Sequence, residues 1–167
     1  EYIKQASAKP FCLFVSYGPP HNPYSAPDKY MKMYEDKRLE ARPNARGTKD
    51  LKAYYAMTTS LDDCVGRIRK ALDEAGVSND TILCFTSDHG ESMWEHDYYF
   101  HHGDTTYEPT ARVPLLIYHP ELPQSLVVEK PVSLVDLLPT ILNRCGVGGA
   151  EALPGAALLT GDRAAAP

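Results

Sequence analysis

The stretch that decides the fold is residues 81–120, TILCFTSDHGESMWEHDYYFHHGDTTYEPTARVPLLIYHP. Two apolar runs, 82–85 and 113–118, flank a polar loop that is rich in histidine. Short continuous apolar runs are typical of strands that are covered on both faces, as in a parallel sheet between helices. In an open α/β sheet, functional groups gather outside the carboxyl ends of the strands. Asp88 and His89 directly follow the first run, so we expect a site there.

The residues before this stretch predict a strand–helix–strand unit. The apolar run 11–17 predicts a buried strand that stops at the Gly-Pro-Pro sequence 18–20, because proline cannot continue a central strand. The range 48–75 predicts a long helix, capped by Thr48 and ended by Gly76 in a left-handed turn. Its apolar stripe recurs at steps of three and four residues: Tyr54, Met57, Leu61, Val65, Ile68 and Leu72. The fold class is therefore α/β, with a right-handed crossover.

Weaker signals complete this prediction. The polar excursion 22–44 is longer than an ordinary loop and predicts either a lid or short helices. Residues 126–128 and Val132 are candidates for extended structure, and 133–142 predicts a helix that tolerates Pro139 in its first turn or at a kink. The tail from about residue 158 is low in complexity, and we expect it to be disordered.

Composition narrows the classes of function. The chain has 167 residues, which suits about one domain. With 17 basic and 22 acidic residues its net charge is −5, which argues against a nucleic-acid partner. No apolar run approaches the roughly 20 residues of a membrane span. None of the four cysteines forms a C-x-x-C pair, so we expect buried thiols at Cys12 and Cys84 rather than a metal or redox site.

Asp88 and His89 are candidate metal ligands. A carboxylate and an imidazole at adjacent positions can face one cation where the chain turns, and Gly90 permits a tight turn. An oxygen-rich site with one imidazole suits Ca²⁺, Mg²⁺ or Mn²⁺, whereas a second imidazole would favour Zn²⁺. The alternative is a salt-bridged pair in a turn, which the dipeptide alone favours.

Four further histidines are candidates for contact with an anion or a leaving group. His21 follows the predicted strand 11–17, so it also lies at a carboxyl end. His102 can donate to an anionic oxygen or act as a general acid near neutral pH. His96 is a substrate contact or a surface residue, and neither interpretation is favoured. We interpret His101 as a solvated loop residue.

Taken in order, these segments resemble the sulfatase family of the alkaline phosphatase superfamily, specifically the later part of its catalytic domain. The resemblance rests on the following segments together: 11–17 with 19–21, 55–62 with 65–66, 86–91, 102–103 with 107–108, 112–115, and 132–140. It implies an alkaline-phosphatase-like sandwich with a mostly parallel sheet flanked by helices.

The resemblance also implies a chemistry. Sulfatases hydrolyse sulfate esters with a formylglycine made from cysteine or serine, beside a divalent cation that is usually Ca²⁺, with Mg²⁺ or Mn²⁺ as alternatives. Asp88 and His89 match the late pair of metal ligands, and His21 matches the histidine that contacts the sulfate and the nucleophile. His102 matches a position, often lysine, that binds sulfate oxygens and assists the leaving group. The implied substrate is a small sugar or aryl sulfate, and the implied location is periplasmic, secreted or lysosomal. Oligomeric state stays open.

Two departures limit the resemblance. The modification motif, Cys or Ser followed by x-Pro/Ala-x-Arg, is absent from the 167 residues, and so is the early aspartate pair of metal ligands. We therefore expect a fragment without its N-terminal half, inactive alone and marginally soluble. The alternatives are a phosphonate or phosphodiester hydrolase, a phosphoethanolamine transferase, or a non-catalytic fragment that retains the fold.

Overall fold

The computed structural model describes residues 1–6, 8–47, 49–122 and 125–159. Five α-helices occur in this part of the chain: α1 (Tyr2–Ala6), α2 (Asp28–Lys32), α3 (Leu51–Glu74), α4 (Glu108–Ala111) and α5 (Leu137–Arg144). Four strands accompany them: β1 (Leu83–Thr86), β2 (Ser92–Met93), β3 (Tyr99–His101) and β4 (Leu115–Tyr118). Strand β1 pairs with β4, and β2 pairs with β3 in an antiparallel hairpin. The predicted strands on either side of the histidine-rich loop are thus confirmed as β1 and β4.

Helix α3 confirms the long helix predicted over 48–75, although the observed helix is shorter at both ends. The helix starts after Asp50, whose φ of 60° is left-handed, and Thr48, the predicted cap, lies outside the described residues. At the other end Gly76 has a φ of +70°, which is the left-handed turn that the sequence predicts. Its buried residues are Leu51, Ala53, Ala56, Met57 and Leu72. Of the predicted stripe, Met57 and Leu72 are buried and the other four residues are partly buried. No described helix combines the length and the apolarity that crossing a bilayer requires.

The chain folds into two compact units. The first comprises Glu1–Thr81 and Thr86–Pro114, and its apolar centre contains Leu51 and Met93 with partly buried Tyr24, Leu39, Tyr54 and Tyr99 packed around them. The second comprises Ile82–Phe85 and the chain from Leu115 onward. There a 3₁₀ turn at Leu134–Asp136 leads into α5, and Pro139 is the third residue of that helix, in the first turn, as predicted. Most of the predicted disordered tail, residues 160–167, lies outside the described residues.

Other predictions about the elements are wrong. The run 11–17 forms no strand among the described residues, and Phe14 is 92% exposed. Cys12 is exposed rather than buried, while Cys84 is partly buried. No strand forms at 126–128 or Val132 either. A strand exists through hydrogen bonds to a neighbouring strand, and an apolar run supplies only the side chains that favour one.

The β2–β3 hairpin was not predicted from the sequence. Its loop places Trp94, His96 and Asp97 at positive φ, with values of 81°, 54° and 67°. Glu95, a residue of the same loop, is fully buried, and the guanidinium of Arg42 lies 2.9 Å from its Oε1. These conformations are rare for residues other than glycine and depend on tertiary contacts, which no local pattern of residues reveals.

Candidate active site

The turn after β1 carries Asp88 and His89 and is held against α4. The backbone N–H of Gly90 donates to the carbonyl of Thr110 at 2.8 Å. A Cβ at Gly90 would lie 2.1 Å from the carbonyl oxygen of Pro109. Glycine is therefore required here by the close approach of another backbone segment, rather than by the tightness of the turn that the sequence suggested. The hydroxyl of Ser87 donates to the carbonyl of His89 at 2.6 Å and closes the turn.

Three imidazoles from separate parts of the chain meet at this turn. The ring of His102 stacks on that of His89, with centroids 3.9 Å apart and planes 19° from parallel. His21 contacts the same ring of His102 edge-on, at a centroid distance of 5.1 Å. The structure thus brings together the histidines that the sequence analysis assigned to the cation, the sulfate and the leaving group.

The same nitrogen is engaged in all three rings. Nδ1 of His21 and Nδ1 of His89 each lie 2.8 Å from the backbone carbonyl of the following residue. Nδ1 of His102 lies 3.3 Å from each carboxylate oxygen of Glu91. Carbonyl and carboxylate oxygens only accept, so Nδ1 carries the hydrogen in each ring. Nε2 is therefore the nitrogen that each histidine retains for a ligand, a proton or a substrate.

Glu91 contacts this cluster, although the sequence analysis did not name it as a candidate. It is 6% exposed, and besides His102 it accepts a hydrogen bond from the hydroxyl of Tyr24 at 3.4 Å. Burial, and then the negative charge of Glu91, raise the pKa of the Tyr24 hydroxyl, so this group remains a donor at any physiological pH. Glu91 directly follows Asp88-His89-Gly90 in the sequence, but no spacing rule pairs it with an imidazole eleven positions later.

The separation of Asp88 and His89 is compatible with two ligands to one cation and equally with an ion pair in the turn. Oδ2 of Asp88 lies 3.8 Å from Nε2 of His89. Two ligands at roughly 2.4 Å from a Ca²⁺ ion can be separated by up to about 4.8 Å, so both atoms can reach the same ion. Partial desolvation opposes ionisation of Asp88, but the backbone N–H of His89, the charge of that ring and the Ser87 hydroxyl together lower its pKa. The described residues contain no group of three or more His, Cys, Asp or Glu placed to hold a metal.

Two other histidines of the loop have different neighbours. His96 is exposed and stacks on Tyr107 at a centroid distance of 4.0 Å, so no observed contact joins it to the three imidazoles. Its role as a substrate contact stays a prediction. His101 lies 3.6 Å from the carboxylate of Asp104, and its side chain is half exposed, which agrees with a solvated loop residue.

Comparison with known proteins identifies the family of the chain. The Sulfatase family model matches residues 1–147. The chain is 36% identical over 143 residues to the ulvan-active sulfatase of Formosa agariphila, covering 80% of this chain and 28% of that protein. A solved structure connected with the metabolism of multiple glycosaminoglycans by Bacteroides thetaiotaomicron superposes with a TM-score of 0.81 at 28% identity, covering 94% of this chain and 36% of that one. The solved structure of the phosphonate monoester hydrolase of Agrobacterium radiobacter superposes with a TM-score of 0.78 at 27% identity. The match covers 99% of this chain and 41% of that one. The chain thus spans roughly a third of the length of these relatives.

Proposed function

The chain belongs to the sulfatase family, and on that premise we propose that the protein to which it contributes hydrolyses sulfate esters. In this reaction the S–O bond to the alcohol oxygen breaks, that oxygen takes a proton, and water supplies the oxygen that leaves with the sulfate. The observation that supports the proposal best is the convergence of His21, His89 and His102 beside Asp88. Their separation in sequence means that only the folded chain assembles this chemistry.

Each imidazole of the site has a separate role in this proposal. His21 donates to a sulfate oxygen through Nε2–H in its protonated form, because its Nδ1 is already bound to a backbone carbonyl. His102 exchanges a proton with the leaving oxygen through Nε2, because its Nδ1 faces Glu91. General acid catalysis of this kind contributes about 10²–10⁴-fold to a rate. The nucleophile is a formylglycine in our proposal, and it lies outside these 167 residues, which contain no modification motif.

The cation in this proposal is Ca²⁺, held here by Asp88 Oδ2 and His89 Nε2. When bound, it neutralises negative charge on the sulfate oxygens. The Nδ1 hydrogen bond of His89 keeps Nε2 free of a proton in the neutral ring, which a metal ligand requires. With two protein ligands, binding by this chain alone should be weak, with a dissociation constant on the order of 1 mM or higher.

Calcium titration of the chain, followed by calorimetry, tests the cation assignment. Asp88→Asn should abolish detectable binding, because it replaces a charged oxygen ligand by a neutral amide. Asp104→Asn is the matched control, since this exposed carboxylate also lies beside an imidazole, that of His101. Binding that survives Asp88→Asn, or is lost equally with Asp104→Asn, would show that the ion binds elsewhere.

Aryl-sulfate hydrolysis by the protein expressed from its complete coding region tests the reaction. His102→Ala should lower kcat by about 10²–10⁴-fold, the range for loss of a general acid. His101→Ala, at the adjacent position, should change kcat by no more than a few fold. Equal losses would mean that the wrong imidazole was assigned, and turnover by residues 1–167 alone would refute a nucleophile outside them.

A second candidate function is phosphonate monoester hydrolysis, because a phosphonate monoester hydrolase matches 99% of the chain with a TM-score of 0.78. The two reactions share an anionic tetrahedral group and a leaving oxygen, so the same imidazoles serve both. The ratio of kcat/KM for an aryl sulfate to that for an aryl phosphonate distinguishes them. A ratio below one would favour the phosphonate reaction.

The substrate in our proposal is a small sulfated molecule, a sugar or aryl sulfate, and the protein works outside the cytoplasm. Both statements are supported by the family and by the sulfatase names of the relatives. Fractionation of the source cells with an antibody to the chain tests the location, and recovery in the cytosol would refute it.

A further inference from the structure

Glu91 is a buried carboxylate with an unusual set of partners. Its side chain is 6% exposed, and its observed hydrogen-bond partners among the described residues are the hydroxyl of Tyr24 and Nδ1 of His102. A buried carboxylate costs several kcal/mol in free energy unless it is paired and hydrogen-bonded. The other strongly buried carboxylate, that of Glu95, is paired with the guanidinium of Arg42. Glu91 is paired with an imidazole of the site instead.

The β2–β3 hairpin creates this pairing. Ser92 of β2 is in register with His101 of β3. Glu91 immediately precedes β2, and His102 immediately follows β3. The two residues therefore lie side by side at the open end of the hairpin. Both carboxylate oxygens lie 3.3 Å from the same nitrogen of His102, so the contact is shared between them. The hydroxyl of Tyr24 binds Oε2 and restricts rotation of the carboxylate.

We propose that Glu91 is the positioning residue for His102: by accepting the Nδ1–H hydrogen, it sets the tautomer and orientation of the ring so that Nε2 meets the leaving oxygen. The catalytic meaning of this inference rests on the proposed function, whereas the tautomer itself does not. A carboxylate that binds one nitrogen of an imidazole is a common means of fixing which nitrogen reacts. The stacked ring of His89 and the edge contact with His21 hold the ring of His102 from other directions.

The tautomer of His102 tests this proposal without any catalysis. The chain is labelled with ¹⁵N-histidine, and the two ring nitrogens are read by long-range proton–nitrogen NMR, without metal and at a pH where the rings are neutral. The signals of His102 are assigned by their loss in His102→Gln. We expect a preference for Nδ1–H of at least about tenfold, the factor that a charge-assisted hydrogen bond of ordinary strength provides.

Glu91→Gln should reduce this preference by about tenfold, because a carboxamide can either donate to Nδ1 or accept from it. Tyr24→Phe should preserve the preference, since Glu91 retains its charge. Asp104→Asn is the control for the neighbouring ring: it should alter the signals of His101 and leave those of His102 unchanged.

A proton on Nε2 of neutral His102 in the unsubstituted chain would overturn the proposal. An unchanged tautomer in folded Glu91→Gln would overturn it as well. The result is separable from the proposed function. An Nδ1–H tautomer in a protein without sulfatase activity would refute the function alone, whereas an active sulfatase with the proton on Nε2 would refute the role of Glu91 alone.

Discussion

Replacing Gly90 by alanine should destabilise the turn that presents Asp88 and His89. The added Cβ would lie 2.1 Å from the carbonyl oxygen of Pro109 and 3.0 Å from its carbonyl carbon. The first distance is more than 1 Å shorter than a favourable contact. Both are backbone atoms, so no side-chain rotation can relieve the clash, and the turn must move away from α4.

The cost can be worked out from two contributions. Overpacking of a well-packed site costs about 1–3 kcal/mol, and a clash with backbone belongs at the upper end of that range. Moving the turn also breaks the 2.8 Å hydrogen bond from Gly90 to Thr110. Losing that bond adds about 1 kcal/mol. We therefore expect Gly90→Ala to lower the free energy of unfolding by about 3–4 kcal/mol.

Gly66→Ala is the matched control in the same unit of the chain. Gly66 lies inside α3, and a Cβ built there meets no atom within 4 Å. Alanine in a helix interior is favoured over glycine by about 0.5–1 kcal/mol. The control should therefore stabilise the chain, although it makes the same chemical change.

Urea unfolding followed by circular dichroism measures both variants, and calcium titration of Gly90→Ala measures the site. We expect Gly90→Ala to lower the free energy of unfolding and Gly66→Ala to raise it. We also expect Gly90→Ala to bind calcium less tightly than the unsubstituted chain. A loss below about 1 kcal/mol for Gly90→Ala, or equal effects of the two variants, would refute the close approach of Pro109 as the reason for glycine.

Three further predictions concern other parts of the first unit. Arg42→Met should lower the free energy of unfolding by about 3 kcal/mol, because it leaves the fully buried carboxylate of Glu95 without its charge partner; a loss under 1 kcal/mol in urea unfolding would contradict this. Burial, followed by the hydrogen bond to Asp50 and the charge of that residue, raises the pKa of Tyr99 to about 12. The folded state therefore binds this proton more tightly than the unfolded chain, whose ordinary value is about 10, so the stabilisation is complete below pH 10 and is lost as the pH rises from 10 to 12. The Tyr99→Phe variant should therefore lose less stability than the unsubstituted chain between about pH 10 and 12. Identical pH profiles of the free energy of unfolding for the two proteins would refute this prediction. Phe14→Ser should leave stability unchanged within about 0.5 kcal/mol, because this ring is 92% exposed, while it reduces self-association in analytical ultracentrifugation. A monomeric unsubstituted chain would contradict the second part.

Several features of this protein could be predicted from the sequence because they depend on neighbouring residues. The apolar stripe of α3 and the left-handed Gly76 at its end are local patterns, and both are observed. Strand β1 followed by Asp88 and His89 is another. The same order of residues also carried the resemblance to the family to which the chain belongs.

The tertiary structure decided which of the candidate residues lie together. Glu91 reaches His102 only because the register of the β2–β3 hairpin places Ser92 opposite His101. The same hairpin loop turns His96 toward Tyr107, so one histidine joins the site and another does not. The physical reason is that residue type and spacing determine local preference, whereas contacts between distant segments depend on strand register and packing, which a single sequence does not display. The candidate site residues can therefore be identified from the sequence of this protein, but the pairing of Glu91 with His102 exists only in its folded form.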